Sequence, residues 1–119
     1  MRVEIHQIAD KELDSFVNFP FELYKNDPYW VGELKADTKK LLRLNNVFWT
    51  KNERALFMAY QDGKAVGRIA AILNKEHNEY HHEDIGFFGF FDVINDRNVA
   101  AALFHLVEHH IRRMQEIPA

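Results

Sequence analysis

The stretch that decides the fold is Ile85-Gly86-Phe87-Phe88-Gly89-Phe90-Phe91-Asp92-Val93, residues 85–93. It holds four phenylalanines and no charge before Asp92, which predicts a buried strand with both faces covered. Gly86 and Gly89 fit a regular strand poorly, so they predict a bulge or a close approach of another backbone or a ligand. A polar turn and a helix follow at once, and the free amides of a helix N-terminus attract anions.

Length and composition limit the classes of protein to which the chain can belong. The 119 residues, 47% of them hydrophobic, predict one globular domain. There are 15 basic and 18 acidic residues, a net charge of −3, and no basic stripe, so no nucleic acid is expected as a partner. The absence of cysteine excludes disulfides and thiolate chemistry. No apolar run reaches the roughly 20 residues that cross a bilayer, so we expect a cytoplasmic protein with no membrane partner.

Hydrophobic periodicity predicts the elements of the first half. Alternation over residues 2–8 predicts a strand. Asp10 is expected to cap a helix that ends near Phe19, because Pro20 restricts the residue before it. An amphipathic helix follows over residues 34–44, where leucines recur with lysines between them.

A hairpin and a long helix dominate the second half. Residues 55–60 and 65–73 are predicted strands joined by Asp62-Gly63, so they pair antiparallel. Residues 74–84 form a polar connector that brings the aromatic stretch alongside as a third antiparallel neighbour. Asp96 then caps a helix that Pro118 ends. The predicted buried face of this helix consists of Val99, Ala102, Leu103, Leu106, Val107, His110, Ile111 and Met114.

The predicted order β-α-α-β-β-β-α describes an α+β fold with a mixed, mostly antiparallel sheet and packed helices. Three segments carry a family likeness: Phe19-Pro20-Phe21-Glu22-Leu23-Tyr24-Lys25-Asn26-Asp27-Pro28-Tyr29-Trp30-Val31, Asp62-Gly63-Lys64-Ala65-Val66-Gly67-Arg68-Ile69-Ala70-Ala71-Ile72 and Gly86-Phe87-Phe88-Gly89-Phe90-Phe91. With this order, they resemble the first half of a GNAT-superfamily N-acetyltransferase, in a bacterial branch of GNAT-like proteins. The resemblance covers nearly the whole chain. Because those relatives continue past the last helix, it implies that residues 1–119 are a single, truncated GNAT-like domain without its C-terminal half.

The resemblance assigns the turn before the last helix to the pyrophosphate of acetyl-CoA. The residues are Asn95, Asp96, Arg97, Asn98, Val99 and Ala100. Only Val99 and Ala100 match the family pattern, and an ordinary capped helix is the alternative for this turn. The resemblance also places backbone groups of Phe91 and Val93 beside the pantetheine arm of coenzyme A.

Asp92 is the only carboxylate at the end of the aromatic strand. It is the candidate catalytic base, acting on an amine directly or through a water, provided that its surroundings raise its pKa. A solvated aspartate at a strand end is the alternative.

Aromatic side chains and histidines supply the remaining candidate sites. By resemblance, aromatic residues of the first two helices line the acceptor pocket, although a plain hydrophobic core is the alternative. These residues are Phe21, Tyr24, Tyr29 and Trp30, with Phe19 beside them. In the connector, His77, His81 and His82 lie near Glu79 and Glu83, but the spacing favours a solvated loop, and no metal site is predicted. His109 and His110 point about 100° apart on a helix, so at most one of them is expected to be buried.

The function that follows from the resemblance is acyl transfer from coenzyme A to an unidentified amine, by a protein of which this chain is the N-terminal part. On this interpretation the chain alone is expected to be inactive. The alternative is a non-catalytic GNAT-like binding or association module whose coenzyme A site is degenerate. We also expect a homodimer through residues 87–93, because an open strand edge lined with phenylalanine recruits another chain.

Overall fold

The chain forms a four-stranded sheet with helices on both faces, as described for residues 2–116 by a computed structural model. The strands are β1 (Glu4–Gln7), β2 (Glu53–Gln61), β3 (Lys64–Leu73) and β4 (Phe87–Val93). The helices are α1 (Leu13–Leu23), α2 (Lys35–Leu42), α3 (Lys75–His81) and α4 (Arg97–Glu116), with 3-10 turns at Asp10–Glu12 and Val47–Thr50. The predicted α+β class is confirmed.

The strands lie in the order β1-β2-β3-β4, and each neighbouring pair is antiparallel. The predicted hairpin is confirmed, because Gln61 pairs with Lys64 around the two-residue turn. Asp62 and Gly63 have φ angles of 51° and 78°, the left-handed values that a tight hairpin turn of this twist requires. β4 is the third antiparallel neighbour that the sequence predicts.

Alternating side chains of the central strands divide the core into two layers. One layer lies under α4 and includes Phe57 and Ile69, whereas the other lies under α1 and α2 and includes Leu56 and Met58. The predicted buried face of α4 is confirmed: Val99, Leu103, Val107 and Met114 are buried, and Ala102, Leu106, His110 and Ile111 are half-buried. Pro118 lies outside the described residues.

The predicted end of α1 near Phe19 is wrong, because the helix runs through Pro20 to Leu23. Proline has no N–H to donate to the carbonyl four residues earlier, which is that of Phe16. The Arg68 Nη1 atom donates to this carbonyl instead, at 2.9 Å. A buried arginine from β3 thus replaces the missing backbone hydrogen bond, and the helix continues.

The predicted capping role of Asp10 is also wrong. Its carboxylate accepts a hydrogen bond from Arg54 Nη2 at 2.6 Å and faces the amide of Leu44 at 3.3 Å. The side chain of Arg54 is only 4% exposed, and a buried guanidinium needs a carboxylate partner. This demand outweighs the local preference of Asp10 for a helix N-terminus.

The connector between β3 and β4 contains a helix that the sequence reading missed. Asn74 caps α3 by accepting a hydrogen bond from the amide of His77 at 2.9 Å. The helix places the rings of His77 and His81 with their centroids 4.4 Å apart.

None of the helices in residues 2–116 combines the length and apolar character needed to cross a bilayer.

The prediction that β4 is covered on both faces is wrong for its first residues. Phe87 and Phe88 are 42% and 49% exposed, because β4 is the last strand of the described sheet and pairs only with β3. Gly86 lies just before the strand, and the side chain of Ile111 in α4 occupies the space that a Cβ atom there would need. Gly86 thus makes a close approach, but to a side chain of α4 and not to the backbone or ligand that the sequence predicts.

Candidate functional site

A bulge interrupts β4 where the sequence predicts one. Gly89 pairs with Ala70 and Asp92 with Arg68, so two residues of β4 face one residue of β3. Phe90, the first of the two, has a φ of 50°, a left-handed backbone that phenylalanine rarely adopts. Such an extra residue reverses the alternation of the side chains that follow it.

The bulge gives the two faces of β4 different chemistry. Phe88 and Phe91 are three residues apart, yet both pack against Phe104 of α4, with ring centroids 4.7 and 5.6 Å from it. Phe90 and Asp92 point to the opposite face, where they meet residues of α1 and β3. One face of β4 is therefore aromatic, and the other carries a carboxylate.

Asp92 lies at the centre of a polar cluster formed with Arg68 and Tyr24. Arg68 Nε donates to Asp92 Oδ2 at 2.9 Å, and Arg68 Nη2 lies at the same distance. Tyr24 Oη donates to Asp92 Oδ1 at 2.9 Å. Burial lowers the pKa of Arg68, against the opposing charge of Asp92. Burial and then the bond to Asp92 raise the pKa of Tyr24.

Asp92 is neither a free base nor a solvated aspartate, the two possibilities considered from the sequence, because it is bound within the protein. Both oxygens of Asp92 already accept hydrogen bonds from the protein, and its side chain is only 19% exposed. An amine that approached Asp92 would therefore share an oxygen with Tyr24 or Arg68. The role of Asp92 as a catalytic base remains a prediction.

A small cavity adjoins the cluster. It has a volume of about 130 Å³, and its lining combines Arg68 and Asp92 with aliphatic, aromatic and polar residues of the α1–α2 region, namely Val17, Pro20, Phe21, Trp30, Val31, Glu33 and Thr38. Trp30 packs edge-on against Phe21 and is stacked on Tyr24, with centroid distances of 5.1 Å in both cases. Three of the four predicted pocket residues thus lie together, whereas Tyr29 is 90% exposed and stands apart.

Sequence reasoning missed Arg68, Glu33 and Thr38 as residues of this site. Arg68 carried a usable signal, since it is the one charged residue within the apolar run 65–73. An arginine in a central strand needs a partner on the same face, and Asp92 is the one acidic residue in the predicted neighbouring strand, residues 85–93. Glu33 accepts a hydrogen bond from Thr38 Oγ1 at 3.0 Å, a contact that no periodicity predicts.

In the turn before α4, the side chain of Asp96 occupies backbone amides at the start of the helix. Asp96 is the predicted N-cap: its Oδ1 atom accepts from the amide of Asn98 at 2.9 Å and faces that of Val99 at 3.4 Å. A pyrophosphate would need these amides, and Asp96 both occupies them and adds a negative charge. The turn in this conformation therefore does not fit a pyrophosphate.

The other residues assigned to coenzyme A are divided between the core and a surface groove. Phe91, Arg97 and Ala100 line a groove of about 380 Å³ between β4 and α4. The side chains of Val93 and Val99 pack in the core under α4, and Asn95 and Asn98 are exposed. The groove is thus the place where three of these residues meet.

The histidines do not form a metal centre in residues 2–116, where no three His, Asp or Glu side chains are grouped so that they could share an ion. His77 Nε2 lies 3.1 Å from Glu83 Oε2. His109 is exposed and His110 is half-buried against Phe57, as expected for neighbours on a helix. Burial, and then the charge of Arg113, lowers the pKa of His110.

Two curated bacterial proteins are similar to the chain. Protein YghO of Escherichia coli (strain K12) is 34% identical over 102 residues, which are 82% of this chain and 25% of that protein. Bacterial ceramide synthase of Caulobacter vibrioides (strain NA1000 / CB15N) is 31% identical over 103 residues, which are 85% of this chain and 27% of that protein. The chain therefore spans about a quarter of the length of these relatives.

A solved structure shows which fold the chain has. The tandem GNAT protein from the clavulanic acid biosynthesis pathway, determined without AcCoA, superposes with a TM-score of 0.70 over 96% of this chain and 34% of that chain. Its sequence identity is 15%, so the similarity is one of fold alone. The chain has a GNAT-like fold, as the resemblance implies. No protein-family model matches the sequence.

We predict that Arg68→Met lowers the free energy of unfolding by about 3 kcal/mol, because it removes the charged partner of Asp92 and leaves the Phe16 carbonyl buried without a donor. Lys64→Met, at an exposed position of the same strand, should change it by less than about 0.5 kcal/mol. The double variant Arg68→Met/Asp92→Leu should recover much of the loss, since it removes both charges. Urea unfolding measures the stability of all three variants. Equal losses of stability in Arg68→Met and Lys64→Met would contradict the role given to Arg68.

Proposed function

We propose that the chain is the amino-terminal part of a GNAT-like N-acyltransferase that moves an acyl group from coenzyme A to an amine. The observation that carries this proposal is the bulge of β4 within a GNAT-like fold. The bulge turns the side chain of Asp92 towards the cavity on the α1 side of the sheet. The expected compartment is the cytoplasm, in keeping with a sequence that has no cysteine.

The reaction needs an amine nitrogen, a thioester, a group that accepts one proton from the amine and a group that gives one proton to the thiolate. The nitrogen attacks the thioester carbonyl carbon, the new C–N bond forms, the C–S bond breaks, and the thiolate takes a proton. Asp92, or a water that it holds, accepts the proton of the amine, and backbone amides near Phe91 polarise the carbonyl. We assign the acid that protonates the thiolate to sequence outside this chain, because the chain matches only about a quarter of the length of its curated relatives.

The cavity beside Asp92 supports an amine as the acceptor. The cavity is lined by the aromatic ring of Trp30 and the carboxylate of Glu33, two kinds of group that attract a cationic amine, while Asp92 would share its oxygens with Tyr24 and Arg68. One curated relative is named a ceramide synthase, and a ceramide is an amide of a long-chain amine. An amide-forming reaction is thus consistent with both the cavity and this relative.

The alternative function is a non-catalytic binding or association module. Two observations favour it: Asp96 closes the turn before α4, and Arg68 and Tyr24 occupy both oxygens of Asp92. On this view the chain keeps the GNAT-like fold but not the donor site. The next two experiments separate the two functions.

If acyl-CoA binds at the turn before α4, Asp96→Gly should tighten its binding about fivefold. Glycine leaves the amides of Asn98 and Val99 free and is still accepted at an N-cap, while the loss of one negative charge near a phosphate is worth about 1 kcal/mol in a wet site. Titration calorimetry with acetyl-CoA measures the effect. Asp62→Gly is the matched control, because it removes a charge in the hairpin at a position of positive φ, which glycine adopts readily. Failure of both the original chain and Asp96→Gly to bind would remove the donor assignment.

If Asp92 takes the proton of the amine, Asp92→Asn should lower acyl transfer at least a hundredfold, within the usual contribution of a general base. The measurement is acetyl-CoA consumption by a longer polypeptide that contains this chain, and a Tyr24→Phe variant controls for loss of the hydrogen-bonded cluster. Transfer that is unchanged in Asp92→Asn would favour the non-catalytic module.

We also propose that two chains associate through β4. Its outer edge has no partner strand among residues 2–116, and the exposed rings of Phe87 and Phe88 stand beside it. Phe88→Asp should shift the chain from dimer to monomer in sedimentation at raised concentration, because it puts a charge into the contact. Ser15→Asp, at an exposed position of α1 on the other side of the sheet, should leave the dimer intact. A chain that is monomeric before any substitution would contradict this proposal.

A further inference from the structure

The end of α2 and the turn after it form an exposed surface that is both apolar and basic. Of the large exposed apolar side chains, four follow each other closely here: Leu41, Leu44, Val47 and Phe48, with 45%, 55%, 78% and 37% exposure. We call this surface the α2 tip. Water does not favour such a group of apolar side chains, so the α2 tip is a candidate contact surface.

The charge of this segment is opposite to that of the chain. Residues 38–52 contain four basic and no acidic side chains, whereas the whole chain has a net charge of −3, so the rest of the chain carries −7. Lys39 pairs with Asp14, but Lys40, Arg43 and Lys51 take part in no ion pair among the described residues. Lys40, Arg43 and Val47 line one groove, so two of these cations lie beside one of the four apolar side chains of the tip.

The last carbonyls of α2 already have hydrogen-bond donors. The last carbonyls of a helix normally rely on water, but here protein donors reach four of them. Arg43 N donates to the carbonyl of Lys39 at 3.0 Å, and Asn46 Nδ2 to that of Lys40 at 3.1 Å. Trp49 Nε1 donates to the carbonyl of Leu41 at 2.8 Å, and Arg54 Nε to that of Leu42 at 2.9 Å. The end of the helix can therefore leave water without stranding any of these four carbonyls, and satisfied backbone groups are the condition that a lipid environment imposes.

We propose that the α2 tip docks on the surface of an anionic phospholipid bilayer. Leu41, Leu44, Val47 and Phe48 enter the boundary between headgroups and acyl chains, while Lys40 and Arg43 contact lipid phosphates. Exposed apolar side chains next to lysine and arginine are the pattern of a segment that lies in the membrane interface. The expectation of no membrane partner considered only spanning segments, and this surface does not span. The proposal does not depend on acyl transfer.

Vesicle flotation of the chain tests the proposal. We expect the chain to float with phosphatidylcholine vesicles that contain phosphatidylglycerol and much less with phosphatidylcholine alone. Binding should weaken as salt is added, because salt screens the lipid charge. Lys40→Gln/Arg43→Gln should weaken partitioning about thirtyfold, and Leu44→Ser/Val47→Ser should weaken it as well. All four positions are exposed, so circular dichroism should show unchanged folding.

The control is Lys25→Gln/Lys64→Gln, which removes two exposed basic residues away from the α2 tip and should leave flotation unchanged. Absence of flotation with phosphatidylglycerol at low salt would overturn the proposal, as would equal losses in the control and the tip variants. If Leu44→Ser/Val47→Ser abolished self-association and left flotation unchanged, the tip would be a contact between copies of the chain and the bilayer proposal would be wrong.

Discussion

The rest of the structure depends on the buried guanidinium of Arg68. It lies in a central strand, where an unpaired charge would be costly, and it joins three elements by donating to the carboxylate of Asp92 in β4 and to the carbonyl of Phe16 in α1. Its carbon Cζ also lies 4.9 Å from the centre of the Phe16 ring and 5.6 Å from that of Phe90. The position of α1 on the sheet, the bulge and the polar cluster are therefore held by one side chain.

The bulge at Phe90 separates two kinds of chemistry that a regular strand would mix. Because of the bulge, the side chains of Phe88 and Phe91 lie on the face covered by α4, and that of Asp92 lies on the face covered by α1. A strand with unbroken alternation would set Phe88 and Phe91 on opposite faces. One strand can thus carry an aromatic surface for association and a carboxylate beside a cavity, within the GNAT-like fold that the chain shares with the solved tandem protein.

Patterns of local origin could be predicted from the sequence, and contacts between distant residues could not. Asp62-Gly63 and the apolar stripe of α4 are set by turn chemistry and helical period, so the hairpin and the buried face were predicted correctly. Asp10 and Pro20 were misjudged because their local preferences yield to Arg54 and Arg68, which lie 44 residues from Asp10 and 52 residues from Phe16. In the candidate site, Asp92 and three of the aromatic residues were found, but the partners of Asp92 were not.

The hydrogen bond from Arg68 to the Phe16 carbonyl also bears on how this sequence can vary. Proline at position 20 leaves that carbonyl free, and arginine at position 68 uses it. With another residue at position 20, the helix could satisfy the carbonyl by itself, and arginine would be less needed there. The two positions are therefore expected to be epistatic: the residues that one position tolerates depend on which residue the other holds.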